Sequence, residues 1–324
     1  MSSLITVNNL TRHYGDFCAV NDISFELATG DILGFLGPNG AGKSSTMQML
    51  TGNLAPTLGE IFIDGIDLLD EPREAKSALG YLPENPPLYR ELTVSEYLHY
   101  CARLHRLPKQ AAGKACASAI ERCGLGEVRQ RLIKNLSKGY QQRVGIAQAI
   151  LHSPPVIILD EPTVGLDPIQ IIEIRRLIKE LGSNHGIILC THILPEVQVV
   201  CNRVQIINRG ELVYNADLKD MLGDQQNRFE VSVTANLSQQ ELDSHDIFTS
   251  TEKTGEFSFI VESDAGADEL TAYIVQQQWG LTRFTTVKDT LEDMFISLTT
   301  GDNNTGDDNS DTDLLEQTSD DVAA

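Results

Sequence analysis

The stretch GPNGAGKSS, residues 37–45, fits the pattern G-x-x-x-x-G-K-[ST] at every fixed position. Its glycines allow the backbone to curl so that successive N–H groups point inward, a geometry that surrounds phosphate oxygens. Lys43 adds a mobile positive charge for the β- and γ-phosphates of a nucleotide, and the Ser44 hydroxyl can ligate Mg²⁺. The predicted nucleotide-binding residues of this loop are Gly37, Pro38, Asn39, Gly40, Ala41, Gly42, Lys43, Ser44 and Ser45.

The segments on either side of the loop favour the same interpretation. Residues 32–36 are predicted as a buried strand that enters the loop. Residues 43–50 are predicted as a helix that leaves it, with Gly52 as the C′ residue. The N-terminus of this helix would add partial positive charge at the bound anion. The alternative is a glycine-rich turn that matches the pattern by chance, and the flanking strand and helix argue against it.

Length and charge limit the partners that the chain can have. At 324 residues it can form one large core and a second, smaller domain. The net charge is −21, and nucleic acid or anionic lipid is therefore not expected as a broad electrostatic partner. No apolar run approaches the ~18–20 residues that span a bilayer, and the N-terminus lacks the features of a secretory signal.

The cysteines indicate a reducing compartment. The six are scattered along the chain without C-x-x-C pairing, so free thiols are expected rather than disulfides or a metal site. Together with the absence of a signal, this predicts a cytoplasmic protein.

The N-terminal part predicts a small antiparallel sheet beside the nucleotide core. Residues 4–9 and 23–27 are predicted as short strands around a turn at residues 12–16. Residues 59–65 are predicted as a further strand, closed by the hairpin signal Asp64-Gly65.

The middle of the chain predicts helices followed by a βαβ unit. The pattern is mostly helical from about residue 73 to 151, and Thr93 with Glu96 forms a capping box. Two apolar strands follow, with a helix between them, and a closing hairpin comes after the second strand. The predicted ranges are 156–160, 169–181, 186–190 and 204–214.

The C-terminal third is predicted as a separate unit with an acidic tail. We expect a first domain at residues 1–222, a small α+β domain at 223–300 and a disordered tail at 301–324. The small domain is predicted to contain strands at 229–233, 256–261 and 282–287, and helices at 270–278 and 291–298.

Two carboxylates lie at the C-terminal end of the strand at 156–160, where open α/β sheets bind their ligands. Asp160 is expected to hold Mg²⁺, usually through its water shell, and Glu161 to orient or deprotonate an attacking water. The alternative is a turn in which Asp-Glu-Pro only caps a helix, and the phosphate loop upstream favours the first interpretation.

Four further motifs follow the loop in the order LSKGYQQR (136–143), VIILDEP (156–162), GLDP (165–168) and TH (191–192). In this series the chain resembles the ATP-binding subunits of ABC transporters over about residues 4–222. The resemblance implies an α/β P-loop NTPase fold. That fold is a RecA-like parallel sheet core with an antiparallel β subdomain and a helical subdomain inserted at about residues 84–150.

The resemblance also implies a head-to-tail dimer, of two copies or with a related ATPase subunit, that encloses two ATP molecules. Ser137 and Gly139 would then reach the γ-phosphate that is bound by Lys43 of the other copy. Asp167 would join the dimer contacts. The alternatives are that Ser137 only caps its helix and that Asp167 only belongs to a turn.

Further roles follow from the same family. His192 would contact the γ-phosphate and orient the water, rather than serve as an ordinary core histidine. Tyr14 would stack on adenine, rather than be an ordinary surface aromatic. Glu84, in YLPE at 81–84, stands where the family usually has a glutamine that links Mg²⁺ to the membrane partner. Its negative charge would lie near Mg²⁺, and its carboxylate would bind the ion more directly than a glutamine does. Lys138 and Tyr140 also depart from the usual LSGGQ.

The motifs therefore predict an ATP-hydrolysing subunit, with ATP and Mg²⁺, that drives a separate membrane permease from the inner face of the membrane. The sequence TLEDMF at 290–295 resembles the C-terminal extension of exporter-type subunits, including those similar to the gliding-motility ATPase. The alternatives are a soluble ABC-type ATP switch without a transport role, and a small-molecule kinase, which would leave residues 137–143 unexplained.

Overall fold

The computed structural model describes residues 3–219, 228–287 and 291–300. The strands of this part are β1 (Ser3–Tyr14), β2 (Phe17–Ala28), β3 (Ile32–Leu36), β4 (Leu58–Ile63), β5 (Ile66–Asp67), β6 (Leu79–Leu82), β7 (Val156–Asp160), β8 (Gly186–Cys190), β9 (Arg203–Asn208), β10 (Glu211–Asp217), β11 (Arg228–Val233), β12 (Ser250–Lys253), β13 (Ser258–Glu262) and β14 (Leu281–Thr286). The helices are α1 (Lys43–Leu50), α2 (Pro72–Ser77), α3 (Val94–Leu104), α4 (Lys109–Arg122), α5 (Lys138–Ile150), α6 (Pro168–Gly182), α7 (Leu194–Val200), α8 (Gln239–Asp243), α9 (Ala267–Gln276) and α10 (Leu291–Thr300).

An antiparallel sheet in the order β2-β1-β4-β5 forms the first layer. The predicted turn at residues 12–16 was wrong, because β1 continues to Tyr14 and pairs with β2 as far as Phe17. Only Gly15 and Asp16 remain for the turn. Buried and exposed side chains alternate along β2 from Ile23 to Leu27, so this sheet has one covered face. The hairpin turn predicted at Asp64-Gly65 is confirmed between β4 and β5.

The central sheet has the order β10-β9-β3-β8-β7-β6. Its strands are parallel except for β10, which returns as a hairpin from β9. The predicted strands at 32–36, 156–160 and 186–190 are confirmed to the residue. Strand β6 was missed because it is a short apolar run inside a region with a helical pattern. It lies beside β7 at the edge of the sheet.

Alternate residues of the central strands pack into different layers. Ile158 of β7 belongs to the core shared with the antiparallel sheet, whereas Leu159 packs among the helices on the opposite face. Burial on both faces explains why these strands are continuously apolar. On the helical side, α3 begins with the predicted capping box, in which Thr93 and Glu96 each bond the other's backbone N–H.

A third sheet, in the order β12-β13-β11-β14, builds a separate core with α8 and α9. Phe229 and Trp279 are buried in it. Strand β12 and helix α8 were not predicted, since both are short and polar. The predicted boundary at residues 222–223 and the predicted tail at 301–324 lie outside the described residues and stay predictions.

Helix α10 packs against the central sheet and α7 rather than within the third core. Leu291 is fully buried in a cluster with Leu36, Val197 and Ile206. The Asn208 side-chain amide donates to the carbonyl oxygen of Leu298 at 3.3 Å. The C-terminal end of the described chain is therefore attached to the layer that carries the phosphate loop. Among the helices of the described part, none has the length and apolar character to cross a membrane.

Candidate functional site

The phosphate loop lies between β3 and α1, with Gly42 at the helix N-cap. Gly42 has a φ of +110°, and a Cβ atom there would lie 2.5 Å from the carbonyl oxygen of Ala19 on β2. Only glycine fits such a position. The loop is also fixed from outside, because Gly210 between β9 and β10 donates its N–H to the Ala41 oxygen at 2.9 Å.

Lys43 is the buried cation of the loop. Its Nζ donates to the carbonyl oxygens of Gly37 at 2.7 Å and Pro38 at 3.0 Å, so the ammonium is held inside the curl of the loop. Ser44 is exposed in the first turn of α1. The first N–H groups of a helix lack intrahelical partners. This arrangement of N–H groups, ammonium and hydroxyl is suited to a polyphosphate.

Tyr14 lies at the edge of the loop. Its hydroxyl is 3.4 Å from Oγ of Ser45, and its side chain is 45% exposed. The guanidinium of Arg12 covers the ring at 4.7 Å from its centroid. The structure thus brings Tyr14 next to the phosphate loop, and its stacking on adenine stays a prediction. Arg12 was missed, although a cation two residues before an aromatic on the same strand points to the same face.

The predicted carboxylates meet at the carboxyl ends of β6 and β7. Burial raises the pKa of Asp160, and the negative charges of Glu161 and Glu84 raise it further. A hydrogen bond with Cys190 and the charge of Lys43 act in the opposite direction. Asp160 therefore lies between a group of like charges and the cation of the phosphate loop.

The chemistry of this donor set fits Mg²⁺. Mg²⁺ is usually held by one or two carboxylates together with phosphates and waters, rather than by a cage of protein ligands. No group of three or more His, Cys, Asp or Glu side chains suited to a metal is found in the described ranges. A divalent cation would also relieve the repulsion between Asp160, Glu161 and Glu84.

Glu161 and His192 form a close pair. Nδ1 of His192 is 2.7 Å from Oε1 of Glu161, and the second oxygen of Glu161 accepts from the Thr191 hydroxyl at 3.2 Å. Glu161 has a φ of +48°, and its N–H donates to the Cys190 oxygen on the neighbouring strand at 2.9 Å. The strained backbone directs the carboxylate to the sheet edge where His192 follows β8. Two of the three predicted catalytic side chains, Glu161 and His192, are thus in contact, and Lys43 is the third.

A buried network behind this pair was missed. Glu196, in the first turn of α7, is 1% exposed and contacts Thr163, Thr191 and Arg175. Burial raises the pKa of Glu196, while its hydrogen bonds and Arg175 lower it. The available signal was one carboxylate beside the valines of a mostly apolar helix, LPEVQVV.

Ser137 and Asp167 are the N-caps of α5 and α6. Ser137 accepts from the Tyr140 N–H at 3.4 Å, and Asp167 from the Gln170 N–H at 2.9 Å. Gly139 lies against the side chain of Gln170. These residues form one surface, and their contacts do not include the phosphate loop of the same chain. Both side chains thus cap their helices, which is compatible with a second role at a dimer surface, and a contact with ATP across a dimer stays a prediction.

These features define a P-loop ATPase: a glycine loop with a buried lysine faces paired carboxylates and a histidine at the carboxyl edge of a parallel sheet. The family model described as "ABC transporter" matches residues 20–164. The model described as "ATP-binding protein DrrA1-3-like, C-terminal domain" matches residues 216–299. The chain belongs to the ATP-binding proteins of ABC transporters.

Relatives and solved structures agree with this assignment. The bacitracin transport ATP-binding protein BcrA of Bacillus licheniformis is 34% identical over 93% of this chain and 99% of its own length. The uncharacterized ABC transporter ATP-binding protein YhcH of Bacillus subtilis is 32% identical over 92% and 97%. A solved ATP-binding subunit of an ABC transporter superposes with a TM-score of 0.63 at 32% identity, covering 68% of this chain and 92% of that one. The predicted fold class, family and ATPase activity are confirmed.

Proposed function

We propose that two copies of this chain close head to tail around two MgATP molecules, and that hydrolysis lets them separate and drives a permease that exports its cargo. The chain would work at the inner face of the membrane, held there by that permease. The observation that carries this proposal is the Glu161–His192 pair, which lies beside Asp160 at the sheet edge facing Lys43.

In this mechanism the phosphate loop and Lys43 bind the β- and γ-phosphates. Glu161 accepts a proton from the attacking water or orients it, and His192 keeps the carboxylate aligned while its exposed ring reaches the γ-phosphate. Ser44 and Asp160 would hold Mg²⁺, with Glu84 beside them. When bound, Mg²⁺ neutralises charge on the phosphate oxygens.

The partner copy completes each site in this proposal. Ser137 and Gly139 start helix α5, so their N–H groups and the Ser137 hydroxyl can face the γ-phosphate bound by Lys43 of the partner copy. Asp167, on the adjoining α6, would contact the partner at the same surface. Tyr14 would stack on adenine with the ring face that Arg12 leaves uncovered.

A cleft of about 520 Å³ beside Glu84 is our candidate for the permease. None of the described residues that line it is acidic, although the chain carries a net charge of −21. Tyr81 lines the cleft and faces the catalytic edge. Burial and the charge of Asp160 raise the pKa of Tyr81 to about 12. The other residues that line the cleft include Gln48, Lys76, Pro83, Asn85, His105 and His152.

We infer that the cleft takes an apolar segment of the permease, since most of the surface that lines the cleft is apolar and Lys76 is its one charged side chain among the described residues. Substituting Gln148→Glu would add a negative charge there. The expected result is reduced recovery of the permease when both proteins are co-expressed, while the ATPase rate of the isolated chain is unchanged. Equal recovery would argue against this occupant.

Export is supported by the relatives rather than by the site. BcrA is named for bacitracin transport, and LnrL of Bacillus subtilis, 35% identical over 65% of this chain, for linearmycin resistance. The match of residues 216–299 to a DrrA1-3-like C-terminal domain points the same way.

The test uses Glu161→Gln with Glu180→Gln as control, because Glu180 makes only a partly exposed ion pair with Arg122. Loss of the carboxylate is expected to lower the ATPase rate about 10²-fold or more, with MgATP still bound. Light scattering should find this variant dimeric in saturating MgATP and the control like the wild type. An unchanged rate, or a monomer under these conditions, would contradict the proposal.

A further inference from the structure

The buried carboxylate of Glu196 is connected to the Glu161–His192 pair through a single hydroxyl group, that of Thr191. Glu196 is 1% exposed, on a helix whose other inward residues, Val197 and Val200, are apolar. Burying a carboxylate costs several kcal/mol unless hydrogen bonds and charge compensate for the lost water. An apolar residue would suit this helix face better, so the presence of Glu196 calls for a reason other than packing.

The contacts of Glu196 converge on the segments that flank the catalytic pair. Oε1 accepts a hydrogen bond from the hydroxyl of Thr163, two residues after Glu161. Oε2 is 3.5 Å from the hydroxyl of Thr191, the residue before His192. Arg175 of α6 places Nη2 3.8 Å from Oε1 and partly balances the charge. Glu196 thus connects both catalytic segments to α6.

Thr191 is the residue through which this network reaches Glu161. Its Oγ1 is 3.2 Å from Oε2 of Glu161 and accepts the N–H of Ile193 at 3.1 Å. A threonine hydroxyl has a single proton to donate. The Thr191 proton therefore has two carboxylates as acceptors, Glu161 being the nearer, and one hydroxyl couples Glu161 to Glu196.

We propose that Glu196 is a positioning residue that, through Thr191 and Thr163, holds the carboxylate of Glu161 in the orientation required for hydrolysis. This inference rests on the catalytic role proposed for Glu161. A purely structural role, in which Glu196 only ties α7 to α6, predicts a loss of stability without a specific loss of kcat.

The experiment measures kcat, KM and thermal stability for the full chain carrying Glu196→Gln, Thr191→Val, or both. Each single substitution is expected to lower kcat about 10- to 100-fold, the range found when groups that orient reactive ligands are removed, with KM changed less than about threefold. The double variant should be no slower than the slower single variant, because both changes break the same path. Thr191→Ser keeps the hydroxyl and is expected to retain near wild-type kcat.

Two reference variants separate the possible failures. Glu180→Gln, at a partly exposed ion pair, should leave kcat unchanged. If Glu161→Gln abolishes turnover while Glu196→Gln and Thr191→Val do not, the positioning role is wrong and the role of Glu161 stands. If Glu161→Gln has no effect, the proposed mechanism itself fails. If the losses of kcat in the double variant multiply, the inference is also overturned. An equal loss of kcat in Thr191→Ser and Thr191→Val would overturn it as well, and this comparison can be made even if the Glu196→Gln variant does not fold.

Discussion

Alanine at Gly42 is expected to damage the phosphate loop far more than alanine at Gly40, three residues before Lys43. Both glycines have positive φ, +110° at Gly42 and +80° at Gly40. A Cβ atom at Gly40 would meet no atom within 4 Å, whereas at Gly42 it would lie 2.5 Å from the main-chain oxygen of Ala19. The pair therefore separates backbone strain from steric conflict.

The expected magnitudes follow from these two contributions. Left-handed backbone costs an alanine about 1–3 kcal/mol at either position. At Gly42 the contact with Ala19 adds about 1–3 kcal/mol, as in other overpacked sites. Because strand β2 is fixed within its sheet, the loop has to move by about 0.5 Å or more. Displacements of this order weaken well-oriented interactions, so we expect an ATP dissociation constant at least about tenfold higher for Gly42→Ala.

The assays are urea unfolding by linear extrapolation and titration with a fluorescent ATP analogue at fixed Mg²⁺. Gly40→Ala should lose only the about 1–3 kcal/mol that the left-handed backbone costs, because its Cβ points into open space. Its dissociation constant for the analogue should stay within about threefold of the wild-type value. Equal losses in the two variants would refute the argument from the Ala19 contact. Wild-type affinity in Gly42→Ala would refute the claim that this glycine fixes the loop.

Three further substitutions test the packing. Gln205 is buried with neither side-chain polar atom hydrogen-bonded within the described residues, so Gln205→Met is expected to raise the free energy of unfolding by about 1–2 kcal/mol in urea. Leu291→Ala should lower the free energy of unfolding by about 2–5 kcal/mol if α10 is a firmly packed part of the fold. The control Val275→Ala, at an exposed side chain, should leave this free energy almost unchanged. Burial and the charge of His105 lower the pKa of His152 to about 4. The unfolded chain therefore binds the proton first, and stability should fall between about pH 6.5 and 4. His152→Gln should flatten this decline in melting temperature.

The sequence was most informative where function and local structure depend on neighbouring residues. The phosphate loop and strands β7 and β8 were predicted to the residue, because a glycine motif and continuous apolar runs are local signals. The carboxylates Asp160 and Glu161 followed from the end of β7. The contact between Glu161 and His192 was predictable in outline, because the carboxyl ends of adjacent parallel strands meet at one edge.

The parts that were missed depend on residues far apart in the chain. Glu196 contacts Thr163, 33 residues away, and no motif marks either one. Strand β6 is defined by its pairing with β7, since four residues between a helix and a proline carry little pattern of their own. The cleft beside Glu84 combines residues from Gln48 to His152, so its volume and its lack of acidic groups become visible only after folding.

Helix α7 links the C-terminal part of the chain to the catalytic edge. With seven residues and no side-chain cap, it is too short to be stable by itself, so its position is set by packing. One side places Glu196 against Thr163 and Thr191, while Val197 on the other side shares a cluster with Leu291 of α10. A change in how α10 packs would therefore displace the same short helix that orients Glu161 and follows His192. Helix α10 thus has a direct packing route through α7 to the proposed hydrolysis site, and the residues of that route are not part of the phosphate loop.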